Sequence, residues 1–203
     1  MSIINYCIIG VFASGKTSLA ASFVKNKQSV ANESTIGASF IVNYTQTMGG
    51  RAIQLNIWDT AGQERYAALL PMYSRNADVI IFTIDPINAE SLVYIKKMMP
   101  IVINDNVIAI HLVVTKMDMQ YGDTNAREMV DNVKAFLREF LHEEHDCAIY
   151  DYYTSAMTCY NVEQPFITNC DELVRRKVER NSIILEKVNV SEPRTSSNRC
   201  EYC

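Results

Sequence analysis

The alternation of apolar and amphipathic segments predicts an α/β fold: a six-stranded, mostly parallel sheet with one antiparallel strand and helices on both faces. Three observations carry this. Short apolar runs such as Val79-Ile80-Ile81-Phe82 alternate with segments of helical period to about residue 180. These runs are too short to cross a bilayer and read as buried strands. Gly49-Gly50 separates two of the runs and predicts a hairpin, hence one antiparallel pair. A glycine-bearing turn, Gly10 to Thr17, then joins the first strand to the first helix.

The first strand is expected near 3–9, ending at that turn, with a helix over 16–26 opening from it. Strands near 38–47 and 51–58 flank the glycine pair, and a helix over 66–75 follows. The run at 78–84, a helix over 88–99 and the run at 107–114 continue the alternation. A helix over 125–143 rests on the three- and four-residue steps of Met129, Val133, Phe136, Leu137 and Phe140. Arg127, Glu128, Asp131, Lys134 and Arg138 fall on its opposite, water-facing side. A strand at 148–153 and a helix over 163–180 complete a single domain, 1–182. The stretch 183–203, with Ser191, Pro193, Thr195, Ser196, Ser197 and Asn198, is expected to be a flexible tail.

With 203 residues and 48% hydrophobic composition the chain can bury one substantial core. Its net charge of -4, without a basic cluster, argues against nucleic acid as a partner. Neither a secretory leader nor a myristoyl site is expected at Met1-Ser2-Ile3-Ile4, so the chain is expected in the cytosol. Cys7, Cys147, Cys159 and Cys170 are scattered and read as structural thiols.

Gly10-Val11-Phe12-Ala13-Ser14-Gly15-Lys16-Thr17 matches GxxxxGK(S/T) between a strand and a helix. In that setting the amides of Ala13, Ser14, Gly15, Lys16, Thr17 and Ser18 form a concavity at a helix N-terminus, suited to a polyphosphate. Lys16 would reach the β- and γ-phosphates, and the Thr17 hydroxyl would ligate Mg²⁺. Trp58-Asp59-Thr60-Ala61-Gly62-Gln63-Glu64-Arg65-Tyr66 places an acid at the end of a strand, where open α/β sheets bind ligands. Asp59 can hold Mg²⁺ through a water, the Gly62 amide can reach the γ-phosphate, and Gln63 can orient an attacking water.

This segment, DTAGQE after a tryptophan, resembles the Rab family of small GTPases, part of the Ras superfamily, and implies the P-loop small GTPase fold. Ser34-Thr35-Ile36-Gly37-Ala38-Ser39-Phe40 resembles the family's first switch, which implies that Thr35 ligates Mg²⁺ while a γ-phosphate is present. Phe23-Val24-Lys25, Glu33 to Ala38 and Leu70-Pro71-Met72-Tyr73 are most similar to the early-endosomal Rab branch. The resemblance also implies that Ile36, Gly37, Phe40, Trp58 and Tyr73 form the surface read by effectors.

Thr115-Lys116-Met117-Asp118 resembles the family's NKxD, with threonine for asparagine. Asp118 can accept hydrogen bonds from guanine N1 and N2, which adenine does not offer, and Lys116 can lay its stem along the base. Ser155-Ala156-Met157 resembles the SAK loop, whose alanine amide meets guanine O6.

Departures bear on mechanism. Phe12 stands where the family keeps a small residue and predicts slow hydrolysis, because its ring crowds Gln63 and the attacking water. Gln28 replaces an aromatic over the base, Thr115 an asparagine and Met157 a lysine, each losing a contact worth about 1 kcal/mol. Exchange faster than in a typical Rab is expected. Rho-type GTPases also carry TKxD.

Cys200-Glu201-Tyr202-Cys203 ends the chain. After a polar linker this pair resembles the double prenylation signal of Rabs, and two lipids hold a membrane stably where one does not. Read as CaaX, only Cys200 would be modified. The implied partners are an exchange factor, an activating protein, effectors and a protein that extracts the GDP form; the implied state is a monomer on the cytosolic face of endosomal or other vesicle membranes, in exchange with the cytosol. The alternatives are a non-hydrolysing Rab-like scaffold held in one nucleotide state and a P-loop ATPase or kinase, the latter disfavoured by Asp118.

Overall fold

The computed structural model describes residues 1–25, 37–47, 49–119, 123–141 and 147–191. Its strands are β1 (Ser2–Ile9), β2 (Ala38–Gln46), β3 (Ala52–Thr60), β4 (Val79–Ile84), β5 (Ala109–Val114) and β6 (Ala148–Tyr153). Its helices are α1 (Lys16–Lys25), α2 (Leu70–Ser74) entered through a 3₁₀ turn (Glu64–Leu69), α3 (Glu90–Val102), α4 (Asp123–Phe140), α5 (Gln164–Ile167) and α6 (Cys170–Ser191). The strands form one sheet in the order β2-β3-β1-β4-β5-β6. β2 runs antiparallel to β3, and the other neighbouring pairs are parallel.

Every residue of β4 and β5 is buried, which accounts for their unbroken apolar runs, since parallel strands are covered on both faces. In β1 the pleat divides the side chains between two cores. Cys7 and Ile9 pack with Ile95, Met99, Val133 and Leu137 of α3 and α4. Ile4, Tyr6 and Ile8 pack with Leu19, Phe166 and Leu173 of α1, α5 and α6. The phosphate-loop turn and the ends of β3, β4 and β5 consequently open on the same edge of the sheet, at the carboxyl ends of its parallel strands.

Several elements differ from expectation. β3 continues through Asp59 and Thr60, because these still pair with Ser39 and Ala38 of β2. The helix expected over 66–75 is a 3₁₀ turn followed by α2, with Pro71 in the first turn of α2; proline supplies no amide hydrogen and starts a helix better than it continues one. The helix expected over 163–180 is divided at Thr168 and Asn169, and the Asn169 carbonyl takes the Leu173 amide at 2.9 Å to begin α6. α6 runs on to Ser191, so 183–191 continues a helix rather than forming tail; 192–203 lies outside the described residues. On α4, Val133 and Leu137 are fully buried, and Met129, Phe136 and Phe140 are partly buried against the same core. Lys134, expected in water, pairs with Asp151 of β6. Among the described residues no helix is long and apolar enough to cross a membrane.

His111 of β5 is buried among the rings of Tyr6, Tyr150 and Tyr152, with Nδ1 2.7 Å from the Pro165 carbonyl oxygen. Burial pulls its pKa from 6.5 down to about 4. The folded chain therefore binds fewer protons here than the unfolded chain between those values, and stability falls as pH drops through that window. The full effect is about 3 kcal/mol. Denaturant melts of parent and His111→Phe at pH 7.5 and pH 5 are expected to show a smaller acid loss in the variant; equal losses would contradict this.

Candidate functional site

The phosphate loop leaves β1 at Gly10 and enters α1 at Lys16. The Ser14 amide donates to the Val11 carbonyl at 3.2 Å, and Ala13 adopts φ 60°, the left-handed region that costs a non-glycine residue about 1 kcal/mol. Lys16 is 5% exposed, and its Nζ donates to the carbonyls of Gly10 (2.9 Å) and Val11 (2.8 Å). Burial lowers its pKa to about 8, against the opposing attraction of Asp59. The ammonium is thus fixed against the loop's own carbonyls.

Asp59 stands at the end of β3 and is 1% exposed. Burial raises the pKa of its carboxyl, while the Thr17 hydroxyl and Lys16 pull it back down. Its Oδ1 is buried without a hydrogen-bond partner among the described residues, as is Oε1 of Gln63. Buried polar atoms are nearly always satisfied, so two orphaned oxygens at one sheet edge mark groups built for something other than packing. The segment after β3 lies close against the phosphate loop: a methyl on Gly62 would fall 2.4 Å from Lys16 Nζ and 2.8 Å from the Phe12 backbone. Only glycine allows that approach. The Phe12 ring itself is 50% exposed.

The two later loops meet the first. Thr115 Oγ1 donates to the Ser14 carbonyl at 2.8 Å and lies 3.2 Å from that of Ile84. Lys116, at φ 59°, pairs with Asp85 at 2.7 Å. Asp118 accepts from the Ser155 hydroxyl at 2.5 Å, and that hydroxyl accepts from the Thr158 amide at 3.2 Å. The Met117 amide bonds to the Thr154 carbonyl at 3.1 Å, which seats one loop on the other. Ala156 is partly buried and Met157 is 60% exposed.

On the flank, Phe40, Trp58 and Tyr73 form a continuous aromatic row, with ring centroids 4.7 and 5.1 Å apart. The Gly37 carbonyl accepts from the Ala61 amide at 2.8 Å, joining the segment before β2 to the one after β3. Thr35, Ile36 and Gln28 lie outside the described residues, as do Cys200 and Cys203. Two contributors went unread in the sequence. Asp85 follows β4 and holds Lys116, and Thr83 meets Ser14 Oγ at 2.7 Å. The available signal was a polar residue inside, and another directly after, an otherwise apolar run.

A glycine-bearing loop on a helix N-terminus, a buried acid on the adjoining strand and a carboxylate held by a serine on a second loop define a P-loop nucleotide-binding protein. The Ras family model matches residues 5–175. The chain is 35% identical over 169 residues to the GTP-binding protein YPT53 of Saccharomyces cerevisiae, covering 81% of this chain and 74% of that protein. It is 46% identical over 85 residues to the GTP-binding protein ypt5 of Schizosaccharomyces pombe, covering 42% and 40%, and 43% identical over 90 residues to the Ras-related protein Rab5 of Nicotiana tabacum, covering 44% of each. These last two matches span less than half of those relatives. The chain belongs to the Ras family of small GTPases, as a Rab-type member near the early-endosomal branch.

Proposed function

We propose that the chain is a GTP/GDP switch of vesicle traffic that acts on endosomal membranes and hydrolyses GTP slowly. The observation that carries the switch reading is the joining of three separate loops at one sheet edge, through Thr115 to Ser14 and Ser155 to Asp118. The names of the relatives support GTP as ligand and the Rab5-like branch as setting.

In this reading the amides from Ala13 to Ser18, with Gly62, hold the phosphates and Lys16 supplies charge to them. The Thr17 hydroxyl, Thr35 and the Asp59 carboxylate, acting through a water, fit a magnesium ion, because hard oxygen donors suit it and Asp59 Oδ1 is otherwise unsatisfied. Magnesium, when bound, neutralises charge between the β- and γ-phosphates. Gln63 Oε1, equally unsatisfied, accepts a hydrogen bond from the attacking water and orients it. Asp118 takes the guanine N1 and N2 hydrogens, Lys116 lies along the base, and the Ala156 amide meets O6, with Ser155 and Met157 framing that turn.

Slow turnover follows from Phe12. Its backbone lies close to Gly62, next to Gln63, and in this reading the half-exposed ring it carries crowds the approach of water and of a partner's arginine. Single-turnover hydrolysis is expected to rise about tenfold or more in Phe12→Gly, the scale on which small misplacements act. Equal rates would remove the steric explanation.

The row of Phe40, Trp58 and Tyr73, with Ile36 and Gly37, is the surface for effectors: aromatic anchors exclude much water at little rotamer cost. An exchange factor, an activating protein and a protein that extracts the GDP form complete the cycle, with the chain as a monomer anchored by prenyl groups on Cys200 and Cys203. Tagged Gln63→Leu is expected on endosomal membranes and Thr17→Asn in the cytosol. The same distribution for both would contradict the switch at a membrane.

A further inference from the structure

We infer that this chain reads guanine without contacting N7, because the Thr115 hydroxyl facing that edge is committed to the phosphate loop. This rests on the guanine-nucleotide reading above and adds how the base is, and is not, recognised. A base whose amino edge is held at Asp118 and whose phosphates lie on residues 13–18 turns its O6/N7 edge toward the segment joining the two. Thr115 is the hydrogen-bonding side chain described there: its Cβ and methyl lie 3.4 and 3.5 Å from where a methyl on Gly15 would stand.

N7 is an acceptor and needs a donor. A threonine hydroxyl carries one hydrogen. That of Thr115 goes to a backbone carbonyl, Ser14 at 2.8 Å or Ile84 at 3.2 Å, both buried with it. Turning it outward to N7 would leave a buried carbonyl without its donor, so the exchange brings no net gain. Among the neighbouring side chains, the Ser155 hydroxyl serves Asp118, Lys116 Nζ is drawn toward Asp85, and the Met157 thioether has no hydrogen to give. Threonine here therefore clasps the base loop to the phosphate loop, and selectivity comes from the Asp118 side of the ring. An asparagine at 115 would carry two amide hydrogens on the same Cβ, enough for the Ser14 carbonyl and N7 together.

Competition binding on the full chain with magnesium, using GDP, 7-deaza-GDP and inosine diphosphate, tests this. The 7-deaza compound replaces N7 by C–H, and inosine lacks the amino group. GDP and 7-deaza-GDP are expected within about twofold, while inosine diphosphate is weaker by roughly tenfold or more, the scale of one hydrogen bond to a carboxylate. In Thr115→Asn the 7-deaza compound is expected to fall about fivefold behind GDP. A fivefold preference for GDP over 7-deaza-GDP in the parent overturns the inference, and an insensitive Thr115→Asn removes Thr115 from that edge. Loss of the inosine penalty, or no binding of GDP, would instead overturn the guanine reading itself.

Discussion

Asp118→Asn is expected to lower the affinity for GDP and GTP by roughly 10³-fold, since two bonds to a carboxylate are lost at about 1.5–3 kcal/mol each. The substitution keeps the size of the side chain, and the Ser155 hydroxyl that meets Oδ1 still finds an acceptor. The defect is chemical: a carboxylate only accepts, whereas an amide presents hydrogens toward the guanine N1 and N2 hydrogens. The same change turns the preference round. Xanthine has an oxygen where guanine has its amino group, and the new amide can donate to it, so xanthosine diphosphate is expected to overtake GDP. Equilibrium binding of both nucleotides to parent and variant checks this. An unchanged GDP preference would show that the carboxylate is a loop brace and not the reader of the base.

Lys16→Ala is expected to abolish measurable binding of GDP and GTP, a loss of roughly 10³-fold or more, while the fold persists. Lys16 is the buried ammonium held against the phosphate loop, and its desolvation already weakens its hold on its proton. A polyphosphate brings back the charge partner that burial removed, so the attraction acts in a poorly screened setting. Its other role is structural and smaller: Nζ caps two carbonyls, Gly10 and Val11. Losing those bonds is expected to cost about 1–3 kcal/mol of stability, a loss visible as a lower melting temperature with an unchanged far-UV spectrum. Binding retained within tenfold would remove Lys16 from the phosphate site.

The sequence revealed most where chemistry demands neighbours in the chain. The phosphate loop must be one contiguous turn, so Gly10 to Thr17 is readable at sight, and its strand and helix confirm the setting. Asp59, Gly62 and Gln63 are legible for the same reason, as they occupy one strand end. Contacts that depend on strand order were hidden. Asp85 meets Lys116 only because β4 and β5 are neighbours, and Thr115 reaches Ser14 only because β1 and β4 also are. Thr115 could be flagged as a departure, yet its hydrogen-bond partner could not be named from sequence. Helix ends were the other loss. The interruptions near Pro71 and at Asn169 reflect backbone chemistry that a broad apolar period smooths over.

The most direct test is calorimetry on the full chain with magnesium, titrating GDP and ADP in parallel. Saturable heat is expected with GDP and an affinity for ADP at least about 10³-fold weaker, because adenine leaves Asp118 facing an edge without the matching hydrogens. Equal affinities, or heat from neither nucleotide, would contradict the guanine reading.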